Sequence, residues 1–158
     1  MSTSVRSLLG DLVSVNHRLT RLAARATGSS ESPAVWRTLS VLTAGGPMRL
    51  GELAELSRVA QPTATKLVSN LTARGWVTRL ADPADARATQ TAITTAGAAA
   101  LAAWRDELAG AMLPLFDGLG PEDIAVLQRA VEIIGERADA AADLPPGAPV
   151  VAPGEARP

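Results

Sequence analysis

The hydrophobic period of this chain changes partway along, and that change limits the folds open to it more than any other feature. Residues 51–57 and 61–73 each carry apolar side chains at helical spacing. Leu53, Ala54 and Leu56 are expected inward in the first segment, and Ala64, Leu67, Val68 and Leu71 in the second. A short break around Arg58-Val59-Ala60 separates them, and Gly75 follows the second as a natural left-handed helix end. Beyond Gly75 the period shortens. Residues 76–80 and 88–94 are rich in Val, Thr and Ile and partly alternate, as strands do. Between them lies Ala81-Asp82-Pro83-Ala84-Asp85-Ala86-Arg87, a segment with turn chemistry. Two short helices followed by a β-hairpin are expected.

Helices flank this unit on both sides. Residues 5–26 read as an amphipathic helix, with Val5, Leu8, Leu9, Leu12, Leu19, Leu22 and Ala23 on its apolar side and Arg6, Asp11, Arg18, Arg21 and Arg25 on its other faces. Ser32-Pro33 starts a second helix, the Ser expected to cap it, with Val35, Trp36, Leu39 and Leu42 as its stripe; Gly45-Gly46-Pro47 stops it. After the hairpin, Thr94 or Thr95 can cap a long helix over residues 96–116. Leu101, Trp104, Leu108, Met112 and Leu115 form its stripe, and Pro114 is expected to kink it near its end. Pro121-Glu122-Asp123 opens a last helix with Ile124, Leu127, Val131 and Ile134 on one face. Residues 144–158, rich in proline, are expected to form a mobile tail.

The element order predicts a mostly α fold with a small β-hairpin wing. A winged helix–turn–helix would occupy residues 31–94, flanked by a helical dimerisation region made of residues 1–30 and 95–143. The flanking helices carry more apolar surface than a core this small can cover, so a second copy of the chain is the expected partner.

The formal net charge of −1 hides a division. Residues 1–94 hold 11 Arg and Lys against 6 Asp and Glu, whereas residues 95–158 hold 4 against 10. A positive first part suits an anionic partner. With 0 Cys and 1 His, thiol chemistry and a multi-His zinc site within one chain are excluded. Aromatic residues are 3% of the chain, which argues against single-strand binding on a platform of stacked rings. The apolar runs are too short to span a bilayer and the N-terminus lacks a signal-peptide layout, so no membrane partner and a cytoplasmic location are expected. No cofactor is implied. An enzyme is not expected either: Asp106 and Glu107 are adjacent and face different directions on a helix, and His17 has no evident partner.

The outer face of helix 61–73 carries Pro62, Lys66, Ser69 and Ala73, flanked by Thr63, Thr65 and Asn70. It has one positive charge and no carboxylate, as suits a helix in a DNA major groove, where hydroxyls and the Lys meet base edges or phosphates. Gln61 in the first turn can read an adenine, and recognition helices read bases with their N-terminal residues. The alternative for this face is a solvated helix surface. In the hairpin, Arg79 and Arg87 bracket Asp82 and Asp85, and Asp85 could orient the Arg87 guanidinium toward a phosphate or a narrow minor groove. The alternative is a turn with a surface ion pair. The two elements in tandem, in the positive part of the chain, favour double-stranded DNA.

At these residues the sequence resembles the MarR family of bacterial transcription regulators. Leu50-Gly51-Glu52-Leu53-Ala54-Glu55-Leu56 looks like the family's third helix, and Val59-Ala60-Gln61-Pro62-Thr63-Ala64-Thr65-Lys66-Leu67-Val68 like its recognition helix. Leu71-Thr72-Ala73-Arg74-Gly75-Trp76-Val77 resembles the exit into the wing, Asp82-Pro83-Ala84-Asp85-Ala86-Arg87 the wing tip, and Ile93-Thr94-Thr95-Ala96-Gly97 the start of the long dimerisation helix. The resemblance implies a homodimer with interlocked end helices on a pseudo-palindromic operator, acting as a repressor and nucleoid-associated when bound. It places base readers among Gln61, Pro62, Thr63, Thr65 and Lys66, and a wing arginine at Arg87 supported by Asp85. Ala60 departs from the family's Ser or Thr cap. The resemblance further implies release by a small aromatic or anionic effector in a crevice with His17, Arg21 and Trp36, and Trp104 beside them, as candidates. Trp36 and Trp104 lie on apolar stripes and are more simply core, and His17 is more simply structural. A DNA-independent small-molecule-binding helical dimer is the competing function.

Overall fold

The computed structural model describes residues 4–28 and 31–142; the expected proline-rich tail lies outside them. The chain falls into two compact units, one ending at Leu115 and the other beginning at Phe116.

In the first unit α1 spans Val5–Thr27, and the Ser4 Oγ caps it by accepting from the Ser7 N–H at 3.2 Å. Helix α2 (Pro33–Gly45) is the centre of the core, burying Val35, Trp36, Thr38, Leu39 and Leu42. Ser32 caps it otherwise than expected. Its side chain makes no capping hydrogen bond, and its carbonyl accepts from the Val35 N–H at 2.9 Å.

Helix α3 (Leu50–Leu56) buries Leu53 and Ala54. Leu56, expected inward, is 44% exposed. In so short a helix the buried face is set by which residues meet α2 and α4, and the wheel alone does not decide it. Helix α4 (Gln61–Ala73) has the expected bounds and buries Ala64, Val68 and Leu71, with Leu67 half-buried.

The sheet is larger than the expected hairpin. Strand β1 (Met48–Arg49), too short to show a period, pairs antiparallel with β3 (Asp85–Ile93), which pairs with β2 (Val77–Asp82), in the order β1-β3-β2. Met48 faces Thr91 and Val77 faces Ile93. The wing strands run on through the polar residues assigned to a loop, so only Pro83 and Ala84 turn between the closing pair Asp82 and Asp85.

Thr94 is the N-cap of α5 (Thr95–Met112): its Oγ1 accepts from the Gly97 N–H at 3.1 Å and donates to the Gly75 carbonyl at 2.6 Å. A Cβ built at Gly97 would overlap the Trp76 carbonyl, so α5 begins against the wing root at a distance only glycine allows. At Pro114 the chain leaves α geometry for a 3₁₀ turn, Leu113–Phe116. Leu115, expected on the inward stripe, is 58% exposed there. Leu39, Leu42, Leu53, Leu71, Leu101 and Val77 are fully buried together. Helix α1 packs on α5, yet among its described residues only Ala23 is buried.

In the second unit α6 spans Pro121–Ala142, with Glu122 and Asp123 in its first turn, where the helix dipole favours acids. Its residues Ile124, Leu127, Val131 and Ile134 are exposed, and Arg129 pairs with Glu132 at 3.2 Å. Among the described residues no helix is long and apolar enough to cross a membrane.

Candidate nucleic-acid interface

The expected readers all lie on the outer surface of α4. Gln61, Pro62, Thr63, Thr65, Lys66 and Ser69 are exposed, while Ala64, Val68 and Leu71 anchor the opposite side in the core. The Thr65 hydroxyl donates to the Gln61 carbonyl at 3.0 Å, so its proton is used within the helix, while its oxygen can still accept. Ala60 supplies no side-chain cap, and Pro62 has no N–H to satisfy. The Lys66 ammonium has no hydrogen-bond or ion-pair partner among the described residues.

Arg79 and Arg87 are exposed on the wing, on β2 and β3. Asp85 does not orient the Arg87 guanidinium as expected. Its Oδ1 accepts from the Arg87 backbone N–H at 3.0 Å, so the carboxylate shapes the wing backbone and leaves the guanidinium without a partner among the described residues. Two residues along the chain is the span of an Asx turn, which favours the nearby N–H over the end of a long side chain.

A second carboxylate carries the ion pair that sequence reasoning missed. Asp82 Oδ2 accepts from Arg49 Nε at 2.6 Å, and Asp82 Oδ1 accepts from the Ala84 N–H at 2.8 Å. The bond from Arg49 and then the Ala84 N–H hold the Asp82 carboxyl below the usual carboxylate range, and Asp82 raises Arg49 in turn. Since β3 lies between β1 and β2, this pair crosses the central strand and ties the wing to the residue that leads into α3. Only β1 pairing reveals it.

The effector candidates separate. Trp36 lines a cavity of about 410 Å³ with Pro33, Ala24, Trp104 and Leu108, and with Thr20, Glu31, Arg37 and Ser40 as its polar groups. His17 and Arg21 are not among its lining residues; they open on a different surface depression of α1 with Asn16 and Thr20. Trp36 stacks on Trp104 at 4.9 Å between ring centroids and on Trp76 at 5.8 Å. The Arg74 guanidinium lies over Trp76 at 4.9 Å and pairs with Glu31 at 2.6 Å. The expectation that Trp36 is core therefore holds together with its place at the cavity: it is 8% exposed and joins the cavity wall to the wing root.

Residues 32–88 match a family model described as the MarR family. No curated relative matches the chain. Among solved structures, a transcriptional regulator from Thermotoga maritima is similar, with 26% identity and a TM-score of 0.67 over 88% of this chain and 99% of that one. MarR from E. coli, in its apo form, has 21% identity and a TM-score of 0.61 over 85% of this chain and 98% of its own. BpsR of Bordetella bronchiseptica, whose DNA binding is regulated by 6-hydroxynicotinic acid, has 19% identity and a TM-score of 0.52 over 86% and 99%. Residues 32–88, the winged helix–turn–helix, thus match the MarR family model, and the whole chain has the fold seen in these solved structures.

Proposed function

We propose that the protein is a sequence-specific double-stranded DNA-binding transcriptional regulator, a repressor, that acts as a homodimer on a pseudo-palindromic operator. The observation that carries this reading is the outer face of α4. It is polar, small, free of carboxylates and held rigid by a buried opposite face, beside a wing whose Arg79 and Arg87 guanidinium groups have no partner among the described residues. Residues 31–94 form the DNA-binding part. Gln61, Pro62, Thr63, Thr65, Lys66 and Ser69 meet the major groove, and Arg79 and Arg87, on a wing shaped by Asp85, meet the backbone and minor groove. Residues 1–30 and 95–143 form the dimerisation region. The exposed Leu8, Leu9 and Val13 of α1, and separately the exposed Ile124, Leu127 and Val131 of α6, support a second copy as their cover.

A small aromatic or anionic effector in the Trp36–Trp104 cavity would release the operator. It must bind the arrangement that cannot dock more tightly than the one that can. Moving the two recognition helices away from a separation of one DNA turn, about 34 Å, is sufficient. The regulation of BpsR by 6-hydroxynicotinic acid supports an effector of this class.

Selection of bound duplexes from a random pool tests the reading. It is expected to enrich two inverted half-sites whose centres lie about 10 base pairs apart or a multiple of that. A pool that shows no enrichment would contradict it, and tight effector binding in the same preparation would then favour the DNA-independent ligand-binding dimer.

A further inference from the structure

The cations of the winged helix–turn–helix divide into two sets. Arg37 donates to the Ser57 carbonyl at 3.1 Å, Arg49 holds Asp82, and Arg74 holds Glu31. Lys66, Arg79 and Arg87 have no such partner among the described residues, and these are the cations already assigned to DNA. Arg58 belongs with the second set. Its side chain is exposed and has no hydrogen-bond or ion-pair partner among the described residues, not even Glu55 on the preceding turn.

The backbone at Arg58 makes this choice of residue conspicuous. Helix α3 ends with the Arg58 N–H donating to the Glu55 carbonyl at 3.0 Å and the Val59 N–H to the Ala54 carbonyl at 3.0 Å. Helix α4 ends in the same way, with the Gly75 N–H donating to Thr72 and the Trp76 N–H to Leu71, both at 2.9 Å. The motif requires a left-handed residue at its fifth position. In α4 that residue is Gly75, with φ of 71°; in α3 it is Arg58, with φ of 53°, the one non-glycine residue at positive φ among the described residues. A side chain in this region is strained where glycine is not. The turn would be better served by glycine, yet it carries an exposed cation two residues ahead of Ala60, the N-cap of α4.

We infer that Arg58 is a further DNA-binding residue, whose guanidinium contacts a backbone phosphate beside the groove that α4 enters. This rests on the proposed DNA reading. A phosphate is the partner because the position adjoins the base-reading end of α4 and the guanidinium is free to present its planar fork of donors. Strain kept at an exposed position is what a binding role at that position explains.

The test uses the full chain and the duplex recovered by selection. Arg58→Gly is expected to raise the thermal midpoint by about 2–4 °C through relief of strain. The same variant should weaken duplex binding about tenfold, flatten the slope of log K against log salt by about one, and leave the selected sequence unchanged. Arg58→Lys should keep most of the slope, and Arg58→Gln should lose it with no gain in midpoint. If Arg58→Gly binds with unchanged affinity and slope while Lys66→Ala loses both, the inference fails and the DNA reading stands. If the wild-type protein shows no salt-sensitive duplex binding, both fall. A lower midpoint for Arg58→Gly would also overturn the inference, since Arg58 would then be a structural residue of the turn.

Discussion

The winged helix–turn–helix and the end helices carry similar apolar side chains to opposite fates. In the first, Leu39 is 0% exposed and Leu53 and Leu71 are 1% exposed, gathered around α2. In α1, Val5 is 72% exposed, and in α6, Val131 is 70% exposed. Both regions show helical periodicity in the sequence. Periodicity therefore identifies the face that needs covering, while only the structure identifies which faces the chain covers for itself. The polar groups divide in the same manner. Arg37, Arg49 and Arg74 hold the fold together, whereas Lys66, Arg79 and Arg87 face outward without partners among the described residues.

Core truncation should have the largest effect. Leu39→Ala is expected to destabilise the fold by about 2–5 kcal/mol in urea unfolding, because the transfer and cavity effects add at a fully buried site. A loss below about 1 kcal/mol would mean that the core around α2 is loosely packed. The end helices should respond through assembly instead. The wild-type chain is expected to sediment as a dimer, and Leu9→Glu with Val131→Glu should shift it toward a monomer. A folded wild-type monomer at micromolar concentration would remove the second copy from the proposal.

The smallest effect concerns the wing. The folded Asp82 carboxyl titrates below its ordinary value because Arg49 and the Ala84 N–H favour its charged form. Its contribution is complete above the unfolded value, near 3.9, and is lost as pH falls through the lower folded value. Stability measured from about pH 5 downward should therefore decline less steeply in Asp82→Asn than in the wild type. Parallel acid limbs would show that the pair does nothing for the fold.

The sequence was most informative where long-range packing mattered least. The bounds of α4 were legible because its stripe completes several turns and Gly75 marks its end. Strand β1 was not, because two residues have no period, and with it the Arg49–Asp82 pair was lost, since it depends on β1 lying across β3 from β2. The wing loop is shorter than the sequence suggests because Asp82, Asp85 and Arg87 look like turn residues, although main-chain pairing carries the strands through them. Leu56 faces outward against its place on the stripe because seven residues do not define a face without their neighbours. At the candidate site the outward residues of α4 were readable, whereas the separation of His17 and Arg21 from the Trp36 cavity depended on how α1, α2 and α5 pack.

DNA binding through α4 and the wing is tested most directly by the salt dependence of duplex binding by the wild type, Lys66→Ala and Arg87→Ala. The wild type is expected to show a linear fall of log K with log salt. Each substitution should weaken binding, and each that removes a phosphate contact should flatten the slope by about one. Unchanged affinity and slope in both variants would contradict the assignment of α4 and the wing to DNA.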